Sequence, residues 1–534
     1  MRGATNPPAY RALLNAALVA GGWGCVATAR AHGFGQRYDL PVPLWLYLWG
    51  AAAAVAVSFL VMALFARGAR VQTYPRVNLL RWNIGRLLGH PVLVVVYQAL
   101  ALVVFVLVIT AGFVGVQNPF KNIAPIMIWS IWWVGIAYVS SLLGNLWVLI
   151  NPANTIFAWI ERLCARAQPG RPRNPPLRLP AWLSIWPAVA LFFLFAWGEL
   201  VWEHSDSPKH LVVAVLAYCA ITWIGMFAFG REAWLRQGEV FTSVFGLLAR
   251  FSPTEVRVVD RKVCATCGNS DCRGQCVDCY ACLRRAEASG REWNLRPYAV
   301  GLLTHRPVHL SVMTLVVMLL ATVTFDGLIE TPLWVGLVER LQSGATGDPA
   351  LSDAGDSRTL VYTLGLSGAV AIFFCAYLLF CWLIARITSM PGASAGGARL
   401  RYGAMTIARC FVLTLVPIAI AYHLAHYLSF LVMTFQYLIP MVSDPLGFGW
   451  NLFGTAHHFV RIGIVDARAV WYTSVAAIVV GHVAAVVLSH IMASRVFDDQ
   501  RMATRSQYPM LILMLGYTML SLWIIAQPIT TTSR

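Results

Sequence analysis

The chain has 534 residues, 58% hydrophobic and 12% charged, with mean hydropathy +0.65. No water-soluble fold of this length hides so much apolar side chain, so the composition excludes a soluble domain and points to an all-α, polytopic transmembrane bundle whose first partner is the lipid bilayer. The formal charge of +17 comes from 40 Lys+Arg against 23 Asp+Glu, but the arginines fall between apolar runs, where orientation signals belong, which argues against a nucleic-acid partner.

In chain order, residues 1–31 carry a weak basic region, an apolar stretch and then Ala29-Arg30-Ala31. The last fits the A-x-A pattern of a signal peptide, with an uncleaved first helix as the alternative. Ten apolar stretches follow, at 43–66, 91–116, 124–150, 181–201, 210–230, 309–329, 359–385, 407–435, 471–493 and 509–527. Each is long enough for a span of about 20 residues. They divide the chain into residues 32–230 with five spans, a long connection at 231–308, and residues 309–534 with five more spans and outer caps. Lys and Arg number 29 in one alternating set of connections and 8 in the other. The positive-inside rule then puts 231–308 in the cytoplasm and the opposite pole outside. Asn151-Pro152 is expected to end one helix and start the next, since a residue before proline avoids the helical region.

The connection at 231–308 opens with REAWLRQGEVFTSVFGLLARF, expected to lie in the inner membrane surface. It continues into CATCGNSDCRGQCVDCYAC, six cysteines in nineteen residues. A cytoplasmic loop is kept reduced, which favours metal ligands over disulfides. Two C-x2-C pairs, Cys264 with Cys267 and Cys276 with Cys279, make a four-thiolate zinc site, leaving Cys272 and Cys282 over or supporting a second ion. In the rival grouping, Cys272, Cys276, Cys279 and Cys282 mirror the bacterial ferredoxin run and hold an iron-sulfur cluster. As a knuckle, the segment would be structural or would dock a partner subunit.

Ionisable groups inside a bilayer are costly and mark candidate sites. His423 and His426 stand three apart, about 60° round one helix, and so can ligate one metal, zinc or copper. His482 on the next span is the expected third ligand, and Glu199 and Asp326 are the carboxylates expected to assist metal-bound water. His32, if freed by cleavage, would chelate copper through its amine and ring. Purely structural hydrogen bonding, or a proton or ion path, would account for the same residues. The chain contains no P-loop, G-x-S-x-G, H-E-x-x-H or dinucleotide fingerprint.

The strings HGFGQRYDLPVPLWLYLWGAAAAVAVSF, SSLLGNLWVLINPANTIFAW and RPYAVGLL resemble bacterial integral membrane proteins known as fenitrothion hydrolases. That resemblance implies a bacterial inner-membrane enzyme, its histidine-rich pole periplasmic, that hydrolyses a small apolar organophosphorus triester and releases a nitrophenol. It assigns no catalytic residue. A membrane redox or metal-handling protein (haem or copper with iron-sulfur) and a transporter are the alternatives from other classes.

Overall fold

The computed structural model describes residues 40–65, 74–168, 175–265, 267, 276–304, 306–345, 354–389, 402–461, 466–497 and 499–530. The signal segment 1–31, His32 and Cys272 lie outside the described residues.

Ten helices are long and apolar enough to cross a membrane: α1 Leu44–Leu64, α2 Pro91–Val114, α3 Ile123–Leu142, α4 Ala181–Leu200, α5 Pro208–Phe229, α6 Leu310–Ile329, α7 Ser357–Ser389, α8 Ala404–Ser443, α9 Ala467–Val496 and α10 Gln500–Gln527. The protein is a multi-pass, all-α membrane bundle. Local sequence sets the helix starts: His90 caps α2 through its ring nitrogen with Pro91 in the first turn, and α5 also opens on a proline, where the missing N–H costs nothing. Burial ranks the helices. In their most apolar windows α6 is 83% and α8 78% buried, whereas α2 is 6% buried and shows its side chains to lipid. Polar groups on α6 and α8 are therefore inside the protein.

Two spans are irregular. In α3 the stretch Ile126–Gly135 is π-helical, a form concentrated at functional sites. α8 joins an amphipathic turn, Ala404–Phe411, through a 3-10 segment, Val412–Leu415, to the long helix Val416–Ser443. The third span stops at Leu142, short of the expected 150. Gly144 has φ +152°, and a Cβ there would meet Thr254 Oγ1 at 2.1 Å, while Thr254 donates to Leu143 O at 2.6 Å. Long-range packing, invisible to hydropathy, ends that helix. Asn151 does start the next one, Pro152–Ala167, by accepting from Asn154 N.

Helices do not account for the connection between α5 and α6. It contributes β2 Thr254–Val258, β3 Cys276–Val277 and β4 Arg291–Leu295, which join β1 Val77–Asn78 in an antiparallel sheet of order β1-β4-β2-β3. Because Val77 pairs with Leu295, the connections after α1 and after α5 lie at one end of the bundle, as odd-numbered spans require. The run expected on the membrane surface is instead partly internal. Phe241, Val244 and Phe245 are buried, and Phe241 sits 4.3 Å from Trp132, ring centre to ring centre. Glu239 explains how a carboxylate tolerates that position. It caps Val240–Leu248 by accepting from Phe241 N and Thr242 N, and it also takes Trp147 Nε1 at 3.1 Å and Tyr218 OH at 2.5 Å.

The sheet is tied together by a second buried carboxylate. Glu255, with a fully buried side chain, accepts from Arg296 Nη1 at 2.9 Å, Arg76 Nε at 2.5 Å and Tyr74 OH at 2.8 Å. Burial pushes its carboxyl upward, but the hydrogen bonds from Arg76 and Tyr74 and the charge of Arg296 outweigh this and hold it below the ordinary glutamate range. The group therefore stabilises the sheet at pH above about 4.3, the free-glutamate value, and that contribution is lost as pH falls through its lower folded value. Breaking a buried pair costs about 3–5 kcal/mol. Glu255→Gln is expected to raise the rate of limited proteolysis between β2 and β4 at neutral pH, and wild-type protection is expected to fade only on acidification below pH of about 4.

Candidate functional site

Glu199 is next to last in α4 and Asp326 is one turn from the end of α6. Both helices run away from the sheet, so these carboxylates lie at the opposite end of the bundle. Across from them α8 carries His426 and Tyr427. His426 Nε2 is 2.9 Å from Asp326 Oδ2, and Tyr427 OH donates to the same oxygen at 2.5 Å. The phenol also lies 3.4 Å from Glu199 Oε1. Tyr427 thus links the Asp326–His426 pair on α6 and α8 to Glu199 on α4. Asp326 and His426 side chains are each 9% exposed.

Close approach of α6 and α8 requires the residue after Asp326 to be glycine. A Cβ on Gly327 would come 2.6 Å from both Tyr422 Oη and Ile524 Cγ2, and 3.6 Å from His426 Cε1. Three elements thus converge where one of them has no side chain.

Ionisable side chains within membrane spans are costly, face the bundle interior and pair with one another, as Asp326 and His426 do. A neutral tie lies nearby: Tyr517 on α10 and Thr324 on α6 hydrogen-bond at 2.6 Å.

The expected three-histidine metal site does not assemble. Among the described residues, the groups of three potential ligands whose donor atoms lie within 4.8 Å of one another consist of cysteines alone. His426 faces α6. His423 faces α3, its ring 5.8 Å from Trp133 and 5.7 Å from Tyr138. α8 lies between α3 and α6, so 60° of separation is enough to send two imidazoles to different neighbours. His482 is turned back on its own helix, Nδ1 to Ile478 O at 2.8 Å, beside Tyr517. The Nε2 atoms of His423 and His482 are buried with no hydrogen-bond partner. His423 lines a cavity of about 20 Å³ with Trp133, Tyr138, Ser141 and Leu248, room for one water. His457 and His458 are exposed.

At the sheet end, five of the six cysteines are described. They form two groups, Cys264 with Cys276 and Cys282, and Cys267 with Cys279 and Cys282. Neither the expected quartet Cys264, Cys267, Cys276 and Cys279 nor the run ending in Cys276, Cys279 and Cys282 is one of these groups. Cys282, expected to be left over or to support a second ion in the zinc grouping, belongs to both and is completely buried. Burial and the Cys264 thiol push Cys276 up to about 12. Burial and hydrogen bonds from Cys267 and Cys279 also push Cys282 upward, so an ion binding here would displace protons.

Sequence reasoning grouped Tyr427 only with a structural hydrogen-bonded network on its own helix; its contacts with Asp326 of α6 and Glu199 of α4 depend on packing that no local pattern encodes. Comparison with known proteins returns no matching family model, no similar curated protein and no similar solved structure.

Gly327→Val is expected to cost about 1–3 kcal/mol by overpacking and to lower the melting temperature in detergent. The coupling of His426 to Asp326, read from the imidazole nitrogen shifts by NMR, is expected to be lost with it.

Proposed function

We propose that this protein is a proton-coupled membrane transporter in which Glu199, Tyr427, Asp326 and His426 form the proton-binding site. The observation that carries this reading is one Asp326 oxygen shared by an imidazole and a phenol in the buried interior, with a second carboxylate beyond the phenol. Ionisable residues that face a bundle interior and pair with one another are the usual makings of a proton relay. The π-helical stretch of α3, which packs on the α8 helix that carries His426, supports it, because irregular helices in transporters line binding sites. The Lys/Arg asymmetry supports a sheet end that faces the cytoplasm and a proton site in the outer half of the membrane.

A second reading keeps hydrolysis of an organophosphorus triester and rests on one observation, the His426–Asp326 pair. An imidazole oriented by a carboxylate can take a proton from water that attacks phosphorus. This form of the reaction uses no three-histidine metal site.

Proteoliposomes with an internal pH dye are expected to take up protons when an inward gradient is applied. Asp326→Asn and His426→Ala are expected to reduce the rate at least about tenfold, a loss of about 1.4 kcal/mol or more. Tyr517→Phe, which removes a neutral tie, is expected to leave it within about twofold. Absence of proton movement by folded wild-type protein overturns the transport reading; nitrophenol release that disappears in His426→Ala establishes the hydrolytic one instead.

A further inference from the structure

The cysteine segment is folded in a way that divides its own motif. Cys264 sits in the short helix Arg261–Ala265, which follows β2, and Cys267 N bonds back to Cys264 O at 3.2 Å in a knuckle turn. Cys276 opens β3, paired with Val258 of β2. After Asp278, at φ +53°, Cys279 caps the helix Tyr280–Arg285, which carries Cys282 one turn on. A C-x2-C pair normally grips one ion with both thiolates. Here each pair is split: Cys264 and Cys276 close one group with Cys282, and Cys267 and Cys279 close another.

We infer that this segment binds two divalent thiophilic ions of the zinc class, bridged by the Cys282 thiolate. Thiolates at about 2.3 Å around one tetrahedral ion are about 3.8 Å apart, a spacing that fits inside the 4.8 Å within which each trio closes. An iron-sulfur cluster with four cysteines places at most two of them on one iron, so a trio of mutually close thiolates does not match it. One ion would also leave a cysteine over, since a tetrahedral site takes four of the five. Charge points the same way: five thiolates, two of them buried, around one dication keep a net charge of −3, and two dications reduce it to −1. Each ion takes three of these sulfurs, and its fourth position is filled by another donor. Bound in this way, the ions pin β3 and the helix Tyr280–Arg285 to the end of β2, an order that five thiols alone do not impose. The inference does not rest on the proton-site reading, since the two sites occupy opposite ends of the bundle.

The test is metal content of the full-length protein purified in detergent, measured together with acid-labile sulfide. Two zinc-class ions per chain and no sulfide are expected. Cys264→Ser and Cys267→Ser are each expected to lose about one ion, and Cys282→Ser both. One ion in the wild type, iron with sulfide, or a Cys282→Ser protein that retains as much metal as Cys264→Ser overturns the bridged pair. Since a cysteine variant can fail to fold, cobalt(II) titration of chelator-stripped wild type gives a second measurement. Thiolate-to-cobalt absorption that rises to two equivalents supports the pair, and an endpoint at one equivalent overturns it.

Discussion

Everything at the far end of the bundle depends on the single oxygen Asp326 Oδ2, held at once by His426 and Tyr427. Without water, a carboxylate inside a membrane bundle must find donors among its neighbours or give up its charge. Both donors come from adjacent positions on α8, so satisfying Asp326 fixes the rotation of α8 against α6. Gly327 sets how near the two helices come, and Glu199 brings α4 into the same network through the phenol. The most buried spans therefore carry the most expensive polar groups, an arrangement that packing alone would not select.

The opposite end solves the same physical problem with different chemistry. Glu255 is enclosed by Arg296, Arg76 and Tyr74, and Glu239 accepts from a helix N-terminus, an indole and a phenol. These carboxylates act as struts that tie several elements together. The Asp326 cluster differs in its partners, which include an imidazole and, beyond the phenol, a second carboxylate, and the proposed proton site rests on that difference.

The candidate site was half legible. Asp326, His426 and Glu199 stand out because charge in an apolar run is conspicuous; His426 meets Asp326 directly, and Tyr427 links Asp326 to Glu199. The pairing of His423 and His426 did not survive, because spacing on one helix says which residues share a face without saying how many neighbours that face meets. The cysteines follow the same logic. Their crowding was plain, but the division of each C-x2-C pair and the central place of Cys282 depend on β3 folding back against β2.

Sequence by itself determined the ten spans and the parity of their connections, since these follow from a local quantity, the transfer of each side chain between water and hydrocarbon. Only the tertiary structure decided where α3 ends, that the long connection builds a sheet with a strand from before α2, and which donor each buried group receives. Those outcomes depend on contacts between residues far apart in the chain, such as Gly144 with Thr254 and Asp326 with His426, whose geometry exists only once the helices have packed.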